Sequence, residues 1–429
     1  MNNTIKLAVA SALIAAASSA SAAGGIVAGD WTLDIGGVVN TYYTSTKTSG
    51  TSAGGGYGGL FFTQNNGLKG GSVDNTQSNI TTGLLPNYLA VSGKTRQNDL
   101  DVGFTISINP GASTTGGGNQ GSQQENRQAF LTFGDASWGS IKLGKDLGIY
   151  ASDAILNDMT LLGVGSGAGL LAGNTTTLGR IGTGFMYADW KAQVAYTSPN
   201  FNGFSFTGGV TQGWNAKAAG MITPSQLADG VAGSVLGAFD SSTSTGRSGS
   251  QPAFEGKVSY AFNAGDVTGK VWASAISQKV EDLTYAGAVS ATHTSGTARA
   301  GDIGVNVNMA GFGLTGYYGE GKGMGTTIQL RDGFDQFGNK RKSDDWYTQA
   351  TYTLPGVGTK LGVSYGESSL DFTAAEGGTD YTNKMWTVGV YHPITKHLNL
   401  VAEYSEVKTD INALSGKSKT VDFGAILFF

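Results

Sequence analysis

Cysteine is absent from this 429-residue chain, and other residue types that mark common protein classes are scarce. Without cysteine, an exported chain has no disulfide framework, so strand pairing and burial must hold its fold together. The three histidines, His293, His392 and His397, leave little for a zinc site or for nucleophilic catalysis. The formal net charge of -4 argues against a nucleic-acid partner, which would need a basic stripe. We therefore predict no enzymatic activity, cofactor or metal.

Long apolar runs are missing beyond the first residues of the chain. Lys6 precedes an apolar run from Leu7 to Ala17, and the small residues Ala20, Ser21 and Ala22 follow, which is the pattern of a secretory signal peptide. We place cleavage after Ala22, with Ala23 as the alternative, so residues 1–22 are the predicted signal peptide and residues 23–429 one mature domain. No later run of 18 or more apolar residues predicts a transmembrane helix. A soluble exported protein and a membrane β-barrel remain open.

Alternation with a period of two is the main pattern of the mature chain. Glycine is abundant, at 69 residues, whereas proline contributes only 7, which fits many short strands. The segment from Leu100 to Ile108 places Leu100, Val102 and Phe104 on one face and small or polar side chains on the other. A soluble sandwich would turn the polar face outward, whereas a membrane barrel turns it toward the lumen.

The connections between these segments alternate in length, which favours the barrel. Short turns alternate with long segments rich in Gly, Ser, Thr and Asn, among them Ser45 to Pro86, Gln278 to Ala298, Gly323 to Lys342 and Thr409 to Gly416. The pattern predicts an all-β, transmembrane antiparallel β-barrel of about sixteen strands, with short periplasmic turns and long extracellular loops. In the last strand, Val421, Phe423, Ala425, Leu427 and Phe429 would face lipid, and the strand would pair with Trp31 to Tyr43 to close the barrel.

Charged residues on the polar faces of the strands would be solvated in a soluble protein, but would set the field inside a closed barrel. These residues are Lys94, Asp101, Lys142, Glu255, Lys257, Lys270, Asp302, Asp345, Lys360, Glu403 and Asp422.

Three stretches resemble the Gram-negative general porins, which are trimeric outer-membrane proteins. They are Arg127 to Lys145 (RQAFLTFGDASWGSIKLGK), Tyr196 to Phe206 (YTSPNFNGFSF) and the strand that ends at Phe429. The resemblance extends over essentially the whole mature chain in strand order. It implies a homotrimer that is exported through the periplasm into the cell outer membrane, in contact with its lipid. It also implies that Phe429 is the signal read by the outer-membrane assembly machinery.

The resemblance further implies a pore constriction, because in such porins the third long loop, after the fifth strand, folds into the lumen. Its acidic residues then face basic residues on the wall. The matching acids are Asp153 and Asp158, with Asp146 at the start of the loop. The matching basic residues are Arg127 and Lys142, with Lys94, Arg96 and Lys145 as further candidates. Thr160 to Gly179 departs from the pattern, since this half of the loop is rich in Gly and Leu and carries no charge.

The expected function is passive diffusion of small hydrophilic solutes and ions through a water-filled channel. A substrate-selective channel is the first alternative, with Trp272, Tyr347 and Tyr391 as a stacking track for sugars. A structural or adhesive outer-membrane barrel is the second alternative, although such anchors are usually smaller barrels that are plugged by side chains. The sequence gives neither the largest solute that the channel would admit nor the sign of charge of the ion that it would prefer.

Overall fold

The computed structural model describes residues 25–50, 75–112, 124–166, 176–214, 250–283, 294–335, 338–377, 380–411 and 414–429. The predicted signal peptide and His293 lie outside these residues. No helix within these ranges is long and apolar enough to cross a membrane.

Nineteen strands account for most of the described chain. They are β1 (Ile26–Ala28), β2 (Trp31–Gly50), β3 (Asn75–Thr81), β4 (Tyr88–Gln97), β5 (Leu100–Pro110), β6 (Gln124–Glu125), β7 (Ala129–Asp135), β8 (Gly139–Leu147), β9 (Trp190–Thr197), β10 (Phe204–Thr211), β11 (Ala253–Ala264), β12 (Val267–Leu283), β13 (Thr294–Met309), β14 (Phe312–Lys322), β15 (Lys342–Thr353), β16 (Lys360–Asp371), β17 (Asp380–Pro393), β18 (Leu398–Ile411) and β19 (Leu414–Phe428). A short helix, α1 (Ser152–Asn157), and the 3-10 helices Met159–Leu162 and Ala374–Glu376 lie between strands.

These strands form one closed antiparallel barrel. Strand β2 pairs with β19 on one side and with both β3 and β4 on the other, so β3 and β4 share one position in the barrel. Strands β6 and β7 likewise share one position beside β5. With the short β1 hairpin arm set aside, the barrel has 16 strands, which confirms the predicted architecture.

The closing seam joins the two ends of the described chain. The β19–β2 register runs from Gly416 opposite Gly50 to Phe428 opposite Val38. Phe429 continues it, because its N–H donates to the Gly37 carbonyl at 3.0 Å and its carbonyl accepts from the Gly37 N–H at 2.9 Å. The predicted pairing of the last strand with the first long strand is therefore confirmed. Its partner residues are 38–50 of β2 rather than the expected range from Trp31 to Tyr43.

The outer face of the barrel is apolar. Ile106, Val305, Leu314, Val363 and Phe423 are exposed outward, while their neighbours along each strand turn inward. Aromatic pairs extend this surface, as in Phe312 and Tyr352 (ring centroids 4.3 Å apart) and Trp386 and Tyr404 (5.1 Å). Such rings are typical of the interfacial girdles of a membrane barrel.

Short connections lie at one rim of the barrel, which we call the short-turn rim. They are residues 98–99, 136–138, 198–203, 265–266, 310–311, 354–359 and 394–397. In the tightest turns, Asn98 and Asp99 have φ values of 49° and 62°, and Ala310 and Gly311 have 50° and 84°. This left-handed backbone matches the twist of two-residue hairpins. The opposite end is the long-loop rim.

Several segments that the sequence assigned to long loops continue as strands. Strand β2 runs to Gly50, β12 to Leu283, and β18 and β19 are separated only by residues 412–413. Their Ser, Thr and Gly content suggested loops, but ladder hydrogen bonds need no apolar side chains, so strands continue past the apolar belt with polar residues on both faces. The predicted loop from Thr409 to Gly416 is therefore wrong, since Thr409 and Gly416 are paired with each other.

Candidate functional site

The connection between β8 and β9 lies inside the barrel in its described residues, 148–166 and 176–189, which we call the lumen loop. Three inward side chains accept hydrogen bonds from its backbone: Glu255 from Ile149 and Tyr150, Gln349 from Met159, and Glu403 from Val164 and Gly165. These acceptors stand on β11, β15 and β18. Because these strands are spread around the wall, the described part of the loop must cross the lumen.

Helix α1 of the lumen loop carries an acid that contacts two bases of the wall. Asp153 lies 2.5 Å from Nζ of Lys270 and 3.0 Å from Nζ of Lys257. The Asp153 side chain is fully buried, whereas each lysine side chain is 15% exposed. Burial alone would raise the pKa of Asp153, but the two ammonium groups outweigh it and lower that pKa below its ordinary value. We call these residues the Asp153 cluster; it carries two positive charges and one negative.

Asp158 has a different environment, because its basic partner comes from the same loop. It caps the 3-10 helix by accepting from the Thr160 N–H at 3.1 Å, and its Oδ1 lies 3.9 Å from Nε of Arg180. Both side chains are fully buried. Burial raises the pKa of Asp158 and lowers that of Arg180. The Arg180 guanidinium also donates to the Met385 carbonyl at 3.0 Å and to Ser364, so it attaches the far half of the loop to β17 and β16.

A second connection also folds inward. Its described residues, 323–335 and 338–341, which we call the second inward loop, lie between β14 and β15 and bury Met324, Leu330 and Phe334. Gln329 of this loop accepts from Nζ of Lys191 at 2.5 Å and donates to the carbonyl of Tyr187 at 3.0 Å. The sequence suggested an outer loop here, but these contacts place it against the lumen loop.

Two predicted basic residues are paired with acids close to them in sequence. Lys142 pairs with Asp146, four residues further along β8 on the same face, and its Nζ lies 4.8 Å from the centre of the Phe130 ring. Nε of Arg127 lies 2.6 Å from Glu125. By parity with Ala129 and Leu131 of β7, the Arg127 side chain would point outward. Arg127 precedes β7, however, so the alternation of that strand does not fix its direction.

The remaining predicted basic residues are distributed between the two ends of the barrel. Arg96 bridges Asp101 and Asp135 at 2.9 Å each, at the short-turn rim. Lys94 lies two residues earlier on the same face of β4 and is exposed. Lys145 is exposed and donates to the Asn126 carbonyl at 2.7 Å. These three residues therefore do not join the Asp153 cluster.

The proposed stacking aromatics face inward but lie beneath the loops. Trp272, Tyr347 and Tyr391 are at most 2% exposed. The Tyr347 hydroxyl donates to the Ala154 carbonyl at 2.9 Å, and the Tyr391 hydroxyl donates to Glu403 at 2.5 Å. These rings hold the lumen loop to the wall and present no open face to a solute in this arrangement.

Sequence reasoning placed Lys257 and Lys270 on the lumen face but not beside Asp153, and it missed Arg180 and Lys191. Lys191 pairs with Glu255 at 2.5 Å. Lys191 shares the inward face of β9 with Gln193 and Ala195, and this alternation along the strand is the signal that could have identified it. Arg180 stands in an irregular segment that offers no such signal. In the described ranges, no three metal-ligating side chains come together.

A closed barrel with an apolar outer face, a charged inner face and loops that cross its interior defines a transmembrane β-barrel channel. The sequence model of the Gram-negative porin family matches residues 8–412, so the chain belongs to this family. It is accordingly an outer-membrane channel for passive diffusion.

Solved structures of outer-membrane channels share this fold. The channel DcaP of Acinetobacter baumannii is 16% identical with a TM-score of 0.64, over 95% of this chain and 100% of that one. An anion-selective porin from Comamonas acidovorans is 14% identical with a TM-score of 0.54, over 93% and 100%. Salmonella typhi OmpF, solved with daunomycin, is 14% identical with a TM-score of 0.51, over 93% and 98%. Among curated protein sequences, none matches this chain.

Proposed function

We propose that the channel carries small hydrophilic solutes and ions past a narrow section bordered by the lumen loop, and that it favours anions. The observation that carries the proposal is the Asp153 cluster, in which the two lysines outnumber the carboxylate and keep part of their surface open to the lumen. A surplus of one charge sign on a narrow water-filled passage raises the local concentration of the opposite ion.

Other charges near the lumen weigh less in this proposal. Four further pairs each contain one base and one acid: Lys142 with Asp146, Lys191 with Glu255, Arg127 with Glu125, and Arg180 with Asp158. The inward acids without a lysine or arginine within ion-pair distance in the described ranges are Asp302, Asp345, Glu403 and Asp422, which are buried, and Asp34 of β2, which is half-buried. Exposed Lys94 adds one more positive charge to the inner face of the barrel. We therefore expect a moderate anion preference rather than strict selectivity.

The test is the reversal potential of purified protein in a planar bilayer across a potassium chloride gradient. Lys257→Gln and Lys270→Gln should each move the reversal potential toward the cation side. Lys396→Gln, in a short turn outside the lumen, is the matched control and should leave it unchanged. A wild-type channel that prefers cations, with no response to either lumen variant, would contradict the proposal.

The sugar track and enzymatic activity are not part of the proposal. Trp272, Tyr347 and Tyr391 serve in packing and hydrogen bonding of the lumen loop, so they offer no stacking surface. Glu255 and Glu403 accept hydrogen bonds from the lumen loop and Lys257 and Lys270 bind Asp153, so these inward groups hold the loop in place, which suits a passive channel without covalent chemistry.

We also propose homotrimeric assembly and a role for Phe429 in recognition by the outer-membrane assembly machinery. The support for the second point is that Phe429 ends the seam strand, with its backbone paired to Gly37 and its ring partly exposed. Phe429→Ala should lower the amount of assembled barrel without changing the conductance of the barrels that form. Phe423→Ala, on the same outward row, is the control. Equal assembly of both variants would remove the special role of Phe429.

A further inference from the structure

The second inward loop completes the backbone hydrogen bonding of the lumen loop near its end. The carbonyl of Thr327 accepts from the Tyr187 N–H at 2.9 Å. Nε2 of Gln329 donates to the carbonyl of Tyr187 at 3.0 Å and to that of Ala188 at 3.2 Å. Buried backbone groups need such partners, and Ala188 is fully buried. This end of the lumen loop therefore depends on a separate loop for its hydrogen bonds.

A wall residue fixes the orientation of the Gln329 side chain. An amide group can turn over, which exchanges its acceptor oxygen for its donor nitrogen. Nζ of Lys191 only donates, and it lies 2.5 Å from Oε1 of Gln329 and 2.5 Å from Glu255. The amide oxygen must therefore face Lys191, so the NH2 group faces the two carbonyls of the lumen loop.

The two loops also approach each other closely at Gly182, apart from these hydrogen bonds. Gly182 has a φ of 76°, and a Cβ atom there would lie 2.3 Å from Oγ1 of Thr327. Both the left-handed backbone and the close approach require glycine. The second inward loop is thus packed directly against residues 182–188 of the lumen loop.

The second inward loop is itself held in one conformation. Leu330 and Asp332 have φ values of 65° and 63°, which residues with a Cβ atom rarely adopt. The fully buried Leu330 donates its N–H to the Met324 carbonyl at 2.7 Å, and the Arg341 guanidinium donates to the Asp332 carbonyl at 3.0 Å. A strained backbone persists only where its surroundings determine it. The loop is therefore a rigid support for the lumen loop.

Together, the two loops fill one side of the lumen. Beneath them, the inward side chains of Trp272, Tyr347 and Met385 on β12, β15 and β17 are at most 2% exposed. Thr132 of β7 and Lys142 of β8 also face inward but are only half-buried. The open part of the lumen therefore lies beside β7 and β8, and the filled side limits its width.

We infer that Gln329 is a positioning residue that sets the size limit of the channel, because it keeps residues 182–188 of the lumen loop packed on the filled side of the lumen. The inference rests on the proposed function, since it requires solutes to pass beside the lumen loop. Loss of the Gln329 hydrogen bonds leaves buried carbonyls without donors, so this end of the loop separates from its support. Water then enters the filled side, and the passage widens.

The experiment measures the size limit by liposome swelling with an uncharged monosaccharide, disaccharide and trisaccharide. Gln329→Ala removes all three hydrogen bonds of the side chain, whereas Gln329→Glu keeps an acceptor for Lys191 but in its ionised form cannot donate to the two carbonyls. Both variants should raise the trisaccharide rate severalfold relative to the monosaccharide rate and should give noisier open-channel currents. Gln97→Ala, which removes an exposed glutamine at the short-turn rim, is the matched control.

Gly182→Ala tests the same contact from the side of the lumen loop. The added methyl group would meet Oγ1 of Thr327, so this variant should also raise the relative trisaccharide rate. Combination with Thr327→Ala should return the rate toward wild type. That change removes the clashing hydroxyl, which has no hydrogen-bond partner among the described residues. Equal rates for the single and the double variant would overturn the role of this contact.

A Gln329→Ala barrel that migrates as folded on an unheated gel and keeps the wild-type size limit would overturn the inference. So would wild-type behaviour of Gln329→Glu, because the contact with Lys191 alone would then account for the effect. The reversal potential separates this result from the proposed function. The Asp153 cluster is untouched in Gln329→Ala, so its anion preference should equal that of wild type. A wild type without anion preference would contradict the proposed function, and the swelling comparison would still decide the role of Gln329.

Discussion

The Oδ1 atom of Asp153 lies 2.5 Å from Nζ of Lys270, although 117 residues separate them in the chain. One residue belongs to the lumen loop and the other to the wall strand β12. Their contact fixes helix α1 on the inner face of the barrel. Since Lys257 binds the same carboxylate, the contact fixes the position of the loop and also leaves one positive charge in surplus.

Replacing this acid should loosen the lumen loop. In Asp153→Asn, both lysines lose their counter-charge, and breaking a buried pair costs up to about 3–5 kcal/mol, with less expected here because the lysines are partly exposed. We expect a lower temperature for the loss of the folded band on an unheated-sample gel, and noisier open-channel currents. Asp101→Asn is the control, because its pair with Arg96 is exposed and contributes at most about 1 kcal/mol. Equal behaviour of the two variants would refute the anchoring role.

The same contact predicts how the channel responds to acid. The pKa of Asp153 is lowered in the fold, so its contribution to stability is present above the ordinary value of 3.8 and is lost as pH falls through the lowered value. The added noise that Asp153→Asn causes should therefore be absent from the wild type between pH 7 and about 4 and should appear there only below that range. Asp153→Asn should be noisy throughout, with no acid transition of this origin. A wild-type transition between pH 5 and 7 that is absent from Asp153→Asn would contradict this prediction.

Glu403 should anchor the other half of the lumen loop. Its Oε2 accepts from the N–H groups of Val164 and Gly165 at 2.8 Å each. Glu403→Ala leaves both donors buried without this acceptor, at roughly 1–3 kcal/mol for each. Glu403→Gln retains one acceptor oxygen and should lose less. Thermal stability should therefore fall in the order wild type, Glu403→Gln, Glu403→Ala.

A neighbouring acid on the opposite face provides the control for Glu403. Glu406 pairs outward with Lys417, so Glu406→Ala removes a carboxylate from the same strand without touching the loop. It should remain close to wild type in thermal stability. A loss as large as that of Glu403→Ala would mean that the effect comes from strand β18 in general.

Substitution of Tyr347 distinguishes a packing role for this residue from a role in a stacking track for sugars. The ring lies 5.6 Å from that of Phe185, and its hydroxyl donates to the Ala154 carbonyl, so Tyr347→Ala should loosen the lumen loop. In a liposome swelling assay, this variant should admit a disaccharide and an amino acid of comparable size equally fast or faster than wild type. A selective loss of disaccharide flux would instead support a stacking track.

Strand alternation predicted the barrel well, because lipid outside and water inside impose opposite polarity on successive residues of segments such as Leu100–Pro110. The same rule placed Lys257 and Lys270 on the inner face. It could not pair them with Asp153, since that contact depends on how far the lumen loop extends across the barrel. Arg180 and the second inward loop were missed for a related reason: an irregular segment has no periodicity that tells inside from outside.

The central claim is tested most directly by recording purified protein in a planar bilayer across a potassium chloride gradient, with wild type and the double variant Lys257→Gln, Lys270→Gln side by side. The account predicts stepwise currents from both proteins. It predicts a wild-type reversal potential on the anion side and a clear shift toward the cation side in the double variant. A folded, inserted protein that stays electrically silent, or a reversal potential that both proteins share, would contradict it.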